Sequence, residues 1–359
     1  MDPKPQKTLI VGLSGPSSSG KTTLARLLRT VFTPPPSADG TPAATTPTIR
    51  PFILHEDDFY KPDDQLSARQ NGGIPMPQII YIITTTSSGH PVQDWDTLDA
   101  LDIPQLQTTL AYIRAHGNLP AGLKSKEDLN NDNDSASAVV DPHTVHSLRN
   151  ELFSQRLTHN AQLASSSSCP PLALALIDGF LLYAPPPHDN AAHPLRAVHD
   201  AIDVPLFLPA TYTRLKQRRE GRTGYVTVGP APTPTPTLQS EKKECDDGGE
   251  RLGGAGEKRD ANADAYIPPE TSFWTDPPGY VDEIVWPRYI TDHAWLLVPP
   301  ESRGGEMDVE ELKRVVGEGG NVREDAGVIV APGMGEASME ELLRWAVGEV
   351  LKAVEDMLR

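Results

Sequence analysis

The sequence predicts an α/β fold: a central parallel sheet covered by helices on both faces. Five short apolar runs, 8–13, 51–55, 172–177, 204–208 and 327–331, read as strands. Helical patterns lie between them, and such alternation argues for a parallel sheet. The first run leads directly into Gly15-Pro16-Ser17-Ser18-Ser19-Gly20-Lys21-Thr22, which fits the phosphate-cradling pattern G-x-x-x-x-G-K-[ST].

Strand 8–13, Thr8-Leu9-Ile10-Val11-Gly12-Leu13, is short and apolar. After the glycine loop, Leu24, Leu27, Leu28 and Val31 recur at i, i+3, i+4 and i+7, the buried stripe of a helix. Strand, loop and helix together are the context the motif requires. Glycines let successive N–H groups curl toward phosphate oxygens, and the loop ends at a helix N-terminus that favours anions. Gly15, Pro16, Ser17, Ser18, Ser19, Gly20, Lys21, Thr22 and Thr23 are therefore the candidate nucleotide-binding residues. Lys21 would reach the β- and γ-phosphates, and the Thr22 hydroxyl would hold Mg²⁺.

The second strand, Phe52-Ile53-Leu54-His55, runs into Glu56-Asp57-Asp58-Phe59-Tyr60-Lys61-Pro62. Carboxylates at the C-terminal end of such a strand face the ligand crevice of an open α/β sheet. One of them can take the proton of an attacking hydroxyl and help hold a metal. His55 reads as a packed strand residue. The third strand ends in Ile177-Asp178-Gly179, an acid placed beside the metal. Downstream, Lys216-Gln217-Arg218-Arg219-Glu220-Gly221-Arg222 is a basic cluster in an acidic chain, suited to closing over phosphates. The last helix carries a capping box, Ser338 with Glu341, ahead of a stripe of Leu342, Leu343, Ala346, Val350, Val354 and Met357. Residues Ala294 to Val298 fit strand or helix equally well.

Composition sets limits. The chain has 359 residues, 36 prolines and 28 glycines, and the latter two cluster. Six blocks look globular, about 7–32, 51–66, 92–116, 145–225, 273–298 and 327–359. They read as one domain spanning 1–359, with low-complexity insertions at 33–48, 117–138, 229–264 and 301–326. Within the last of these, Met307 to Val316 fits one exposed helix. The net charge of −17 argues against nucleic acid or an anionic membrane as partner. No targeting or spanning segment stands out, and the two cysteines, Cys169 and Cys245, suggest neither a metal site nor a disulfide framework. A reducing compartment follows, cytoplasmic or also nuclear.

Taken together, several of these runs resemble nicotinamide riboside kinase, a branch of the uridine kinase-like P-loop kinases. The resemblance rests on the glycine loop, Asp57-Asp58-Phe59-Tyr60-Lys61-Pro62, and Asp94-Trp95-Asp96 followed by Leu98 and Ala100-Leu101. It continues in Ile177-Asp178-Gly179-Phe180-Leu181-Leu182, the arginine run, Pro277-Pro278-Gly279-Tyr280 and Val285-Trp286-Pro287. It implies a three-layer P-loop kinase fold and a reaction of ATP, with Mg²⁺, on the 5′-hydroxyl of a small nucleoside. Asp57 would be the general base and lie near Mg²⁺ with Thr22 and Asp178. Asp178 stands where the family usually has a glutamate. Asp96 would bind the ribose 2′- and 3′-hydroxyls. Trp95 and Tyr225 would face the two sides of the nicotinamide ring. Arg218, Arg219 and Arg222 would contact ATP phosphates and substrate, Arg219 acting in catalysis with Asp57 and Lys21. Pro332 and Gly333 would pass the adenine. A uridine or other nucleoside kinase on the same fold, or an ATP-binding regulatory protein, are the alternatives. A regulatory GTPase is disfavoured, because the Asn-Lys-x-Asp guanine motif is absent.

Overall fold

The computed structural model describes residues 7–35, 48–61, 83–85, 91–123, 125, 139–157, 171–221, 225–228, 272–274, 276–298, 309–318 and 323–358. In chain order its elements are β1 (Lys7–Ser14), α1 (Lys21–Phe32), β2 (Ile49–His55), β3 (Ile83–Thr85), β4 (Pro91–Gln93), α2 (Ile103–His116), α3 (Pro142–Glu151), β5 (Leu172–Asp178), α4 (Pro187–Asn190), α5 (Arg196–Asp200), β6 (Val204–Phe207), α6 (Tyr212–Glu220), β7 (Tyr225–Val228), β8 (Ser272–Trp274), α7 (Trp286–Leu297), α8 (Val309–Glu318), β9 (Ile329–Val330) and α9 (Met339–Leu358).

Five strands form one sheet in the order β2-β5-β1-β6-β9, and every neighbouring pair is parallel. This is the α/β sheet flanked by helices that the alternation predicts. All seven residues of β5 are buried, as a strand covered on both faces requires. Side chains alternate between two cores. Leu9, Val11 and Leu13 of β1 and Leu172, Leu174 and Leu176 of β5 meet α1 and α9 on one face. Ile10, Ala175 and Ile177 meet α2 and α7 on the other. The predicted α1 stripe, Leu24, Leu27, Leu28 and Val31, is buried in the first of these cores.

Register positions the site. Asp178 lies level with Leu13 of β1 and with His55 of β2. The glycine loop, the acidic turn after β2 and the end of β5 therefore emerge together at the C-terminal edge of the sheet, where open α/β sheets bind ligands.

Some boundaries differ from expectation. The last strand shrinks to Ile329–Val330 and β6 stops at Phe207. Ala294 to Leu297 are helical, closing α7, whose buried residues Trp286, Tyr289, Ile290, His293 and Leu297 recur at helical spacing. The helix expected at Met307 to Val316 is Val309–Glu318. It is not wholly exposed, because Val316 is buried in the core that contains Trp286. The insertion 229–264 lies outside the described residues, as do 36–47, 126–138, 301–308 and 319–322 of the other three.

Candidate active site

The loop after β1 is held in a shape only glycine tolerates at two points. Gly15 has φ +145°, and a Cβ there would lie 2.2 Å from the Leu208 carbonyl oxygen. Gly20, at φ +103°, is the N-cap of α1. Between them the Ser19 N–H donates to the Pro16 carbonyl at 3.1 Å. The Lys21 ammonium donates to the same carbonyl at 2.9 Å. Residues 21–23 open α1, so their N–H groups have no acceptor within the helix, an arrangement that receives anions.

Carboxylates stand beside this loop. The Thr22 hydroxyl donates to Asp178 Oδ2 at 2.5 Å, and His55 Nδ1 lies 3.1 Å from the same oxygen. Burial pushes the Asp178 carboxyl up, but the His55 hydrogen bond, the Lys21 ammonium and Thr22 outweigh it and hold the group below its usual value. His55 is buried, as expected of a strand residue, and also anchors the acid. On the turn Glu56–Phe59, Glu56 is fully buried. Its Oε2 accepts the N–H groups of Phe180 at 2.7 Å and Leu181 at 3.1 Å. Burial pushes its carboxyl up to about 8, with the Asp57 charge adding to the effect. Asp57 is half-buried on the same turn.

The paired arginines on α6 divide. Arg218 donates to the carbonyls of Ser18 at 3.3 Å and Ser19 at 3.2 Å, on the rim of the glycine loop. Burial, then the neighbouring Arg214, lowers its pKa, so an anion here would relieve both. Arg219 turns the other way. It is buried and grips Asp96 with both terminal nitrogens, at 3.0 and 3.2 Å. Its Nε also donates to Asp276 at 2.7 Å, and its guanidinium lies 5.5 Å from the Tyr280 ring centre. Burial opposes its charge, but Asp96 and Asp276 prevail and raise its pKa. A planar fork matched to a carboxylate explains why arginine rather than lysine fits here.

An aromatic wall adjoins Asp96. Trp95 is half-buried, its backbone N–H donates to the Tyr280 hydroxyl at 3.1 Å, and its ring meets Tyr60 edge-on at 5.7 Å. Tyr60 in turn stacks on Phe180. Behind the wall, buried Asp94 accepts Arg288 at 2.8 Å and the Asp96 N–H at 3.1 Å. Pro332 lines a groove with Ser19, Pro209, Arg218 and Ala337, beside the glycine loop. Gly333 follows at φ +84°.

The structure thus gathers Lys21, Thr22, Asp178 and Arg218 about the glycine loop, and from the next residue of α6 joins Arg219 to Asp96, which follows Trp95. Of Tyr225 only the backbone, paired with Trp274, is described, and Arg222 lies outside the described residues. Glu56, Asp94, Asp276, Tyr280 and Arg288 were not picked out as site residues from sequence. Tyr280 closes the run Pro277-Pro278-Gly279-Tyr280 that stood out, and Asp276 directly precedes it, so a signal existed beside them. Nothing local marks Arg288.

Oxygen donors suit a hard cation, and Mg²⁺ needs few from protein because it keeps waters and phosphates as ligands. Thr22 spends its proton on Asp178, which leaves its lone pairs to accept a metal. Among the described residues no group of three or more His, Cys, Asp or Glu forms a self-sufficient metal cage. No described helix is long and apolar enough to cross a membrane.

No protein-family model matches the chain. Curated relatives do. A nicotinamide riboside kinase of Schizosaccharomyces pombe is 25% identical over 355 residues, which cover 98% of this chain and 99% of that protein. The chain is similar to nicotinamide riboside kinases along almost its whole length. The nicotinamide riboside kinase of Saccharomyces cerevisiae is 24% identical over 351 residues, 98% of this chain and 99% of its own. Nicotinamide riboside kinase 2 of Mus musculus is 25% identical over 222 residues, 62% of this chain and 72% of its own.

Proposed function

We propose that the protein is a phosphotransferase that moves the terminal phosphoryl group of ATP to the 5′-hydroxyl of nicotinamide riboside, giving nicotinamide mononucleotide for NAD salvage. The observation that carries this is the division of two adjacent α6 arginines, Arg218 on the glycine loop and Arg219 on Asp96. The same short helix thus serves the glycine loop and the buried Asp96, in a chain similar throughout to nicotinamide riboside kinases.

In this reading Gly15 to Thr23 wrap the phosphates and Lys21 and Arg218 supply positive charge to the transferring oxygens. Thr22, with Asp178 and Asp57, would hold Mg²⁺, which neutralises phosphate charge when bound. The groove lined by Pro332, which Gly333 follows in the chain, would take the adenine. Asp57 accepts the 5′-hydroxyl proton. Asp96, fixed by Arg219, accepts the vicinal ribose hydroxyls on its remaining lone pairs. Trp95 lies against the base, and Arg222 and Tyr225 complete the lid. A permanently cationic pyridinium gains about 0.5–2 kcal/mol against an aromatic face, and a neutral uracil gains less. That difference favours nicotinamide riboside over the uridine kinase alternative.

Purified protein with MgATP and a nucleoside panel tests the assignment through ADP release. Turnover of nicotinamide riboside well above uridine is expected. Preferential turnover of uridine would replace the substrate, and no turnover of any nucleoside would favour a regulatory ATP-binding role.

A further inference from the structure

The loop between β9 and α9 carries a strained backbone. Gly333, Met334 and Gly335 follow one another at φ +84°, +49° and +78°. Consecutive left-handed residues are rare, and Met334, with a side chain, adopts that conformation at a cost. Such strain persists only where the surroundings hold it. Met334 is itself exposed, so the hold comes from its neighbours.

Those neighbours are tied to the start of α6. Arg214 Nη1 donates to the carbonyls of Gly335 at 3.2 Å and Ala337 at 2.9 Å. Its Nε lies 3.2 Å from Glu336 Oε2. Thr211, the N-cap of α6, donates its hydroxyl to the other Glu336 oxygen at 2.5 Å. The approach is as close as glycine allows: a Cβ at Gly335 would lie 2.9 Å from the Thr211 nitrogen and 3.0 Å from Ala210 Cα. Arg214 and Arg218 are four residues apart, so they share a helix face. Both line the groove that contains Pro332 and Ala337, and Arg218 reaches on to the carbonyls of Ser18 and Ser19.

We propose that Arg214 is a positioning residue for the donor nucleotide, holding loop 333–337 against α6 so that the adenine groove keeps its shape and its spacing from the glycine loop. The proposal rests on the reading of that groove as the adenine site and deepens it. A guanidinium suits the task, because its donors lie fixed in one plane and serve two carbonyls and a carboxylate together. The Glu336 carboxylate is 57% exposed, so its ion pair contributes little. The two carbonyl bonds carry the hold. The Arg214 charge also acts on Arg218, which makes an electrostatic role at the phosphates the rival to exclude.

The test compares wild type with Arg214→Gln and Gly335→Ala, with nicotinamide riboside as acceptor. For Arg214→Gln, KM for ATP should rise about tenfold, the loss of charge-assisted bonds to the loop. KM for nicotinamide riboside and kcat should stay within about twofold. Tripolyphosphate carries the phosphates without a base, and it should compete with ATP as well in the variant as in wild type. An equal weakening of tripolyphosphate would assign Arg214 to phosphate charge and overturn the proposal. An unchanged KM for ATP, or equal rises for ATP and nicotinamide riboside, would overturn it too. Gly335→Ala leaves the Arg214 charge in place and forces the loop away from Thr211, so it should reproduce the split between ATP and tripolyphosphate. In the double variant the rise in KM for ATP should fall short of the product of the two single effects, because both act through one seat. Full multiplication would separate Arg214 from the loop and overturn the proposal. If wild type phosphorylates no nucleoside, the proposed function itself fails, a result distinct from an unaltered KM for ATP in an active variant.

Discussion

At the residue scale, the site is organised by which charges are paired and which are left for ligands. Arg219 satisfies Asp96 and Asp276, whereas among the described residues Arg218 hydrogen-bonds to the carbonyls of Ser18 and Ser19. The two adjacent arginines, indistinguishable by type, thus differ by partner. Sequence showed three candidate lid arginines but not their division, because that depends on the helical phase that aims 218 and 219 in different directions. Asp57 is the residue on which turnover should depend most. Asp57→Ala should lower kcat about 10²- to 10⁴-fold, the usual share of a general base, while ATP binding measured by calorimetry survives. Unchanged turnover would remove Asp57 from that role. For Trp95→Ala, KM for nicotinamide riboside should rise several-fold more than KM for ATP, since Trp95 precedes Asp96 in the chain and its ring meets Tyr60. Equal rises would separate Trp95 from base binding.

At the element scale, the strands were legible because their burial is two-sided. Leu172 to Asp178 is almost wholly apolar, and it becomes the strand between β1 and β2. Short edge strands were less legible. β9 spans only Ile329–Val330, and its ends are decided by its pairing with β6, not by its own composition. Ala294 to Val298 was ambiguous because five apolar residues fit either period. The stripe that begins at Trp286 resolves it. The capping box at α9 was readable and forms. Ser338 N–H donates to Glu341 Oε2 at 2.8 Å and Ser338 Oγ accepts the Glu341 N–H at 3.3 Å. Ser338→Ala should cost about 1 kcal/mol, about 2–4 °C in Tm for a domain of this size. A thermal scan checks it, with substrate KM values unaffected.

At the scale of the whole molecule, α7 is tied to the segment just past β5 behind the site. Buried His293 of α7 places Nδ1 3.0 Å from the Tyr289 carbonyl and Nε2 3.2 Å from that of Phe180, just past β5. Burial lowers its pKa to about 4. The folded form thus disfavours the proton that the unfolded chain takes up near pH 6.5. Stability from this group is complete above pH 6.5 and is lost as the pH falls toward 4, an effect of about 3 kcal/mol at most. Urea midpoints should therefore drop between pH 7 and pH 4.5, and His293→Gln should flatten that drop. An equally steep drop in the variant would place the acid sensitivity elsewhere. This contact was invisible in the sequence, where a lone histidine in an apolar helix carries no sign of its partner more than a hundred residues away. The sheet order was equally hidden, since alternation of elements states that strands are parallel but not which are neighbours.

Gly20 meets Met339 across the fold: a Cβ at the first would lie 2.6 Å from the methyl carbon of the second. Met339 is the first residue of α9, which packs against α1 in the same core. The glycine loop and the start of α9 therefore share a contact. A nucleotide bound at residues 15–23 is expected to steady the start of α9 through this contact, and by reciprocity a loosened α9 should weaken its affinity. The backbone amides of α9, far along the chain from the loop, then become a hydrogen-exchange gauge of nucleotide occupancy.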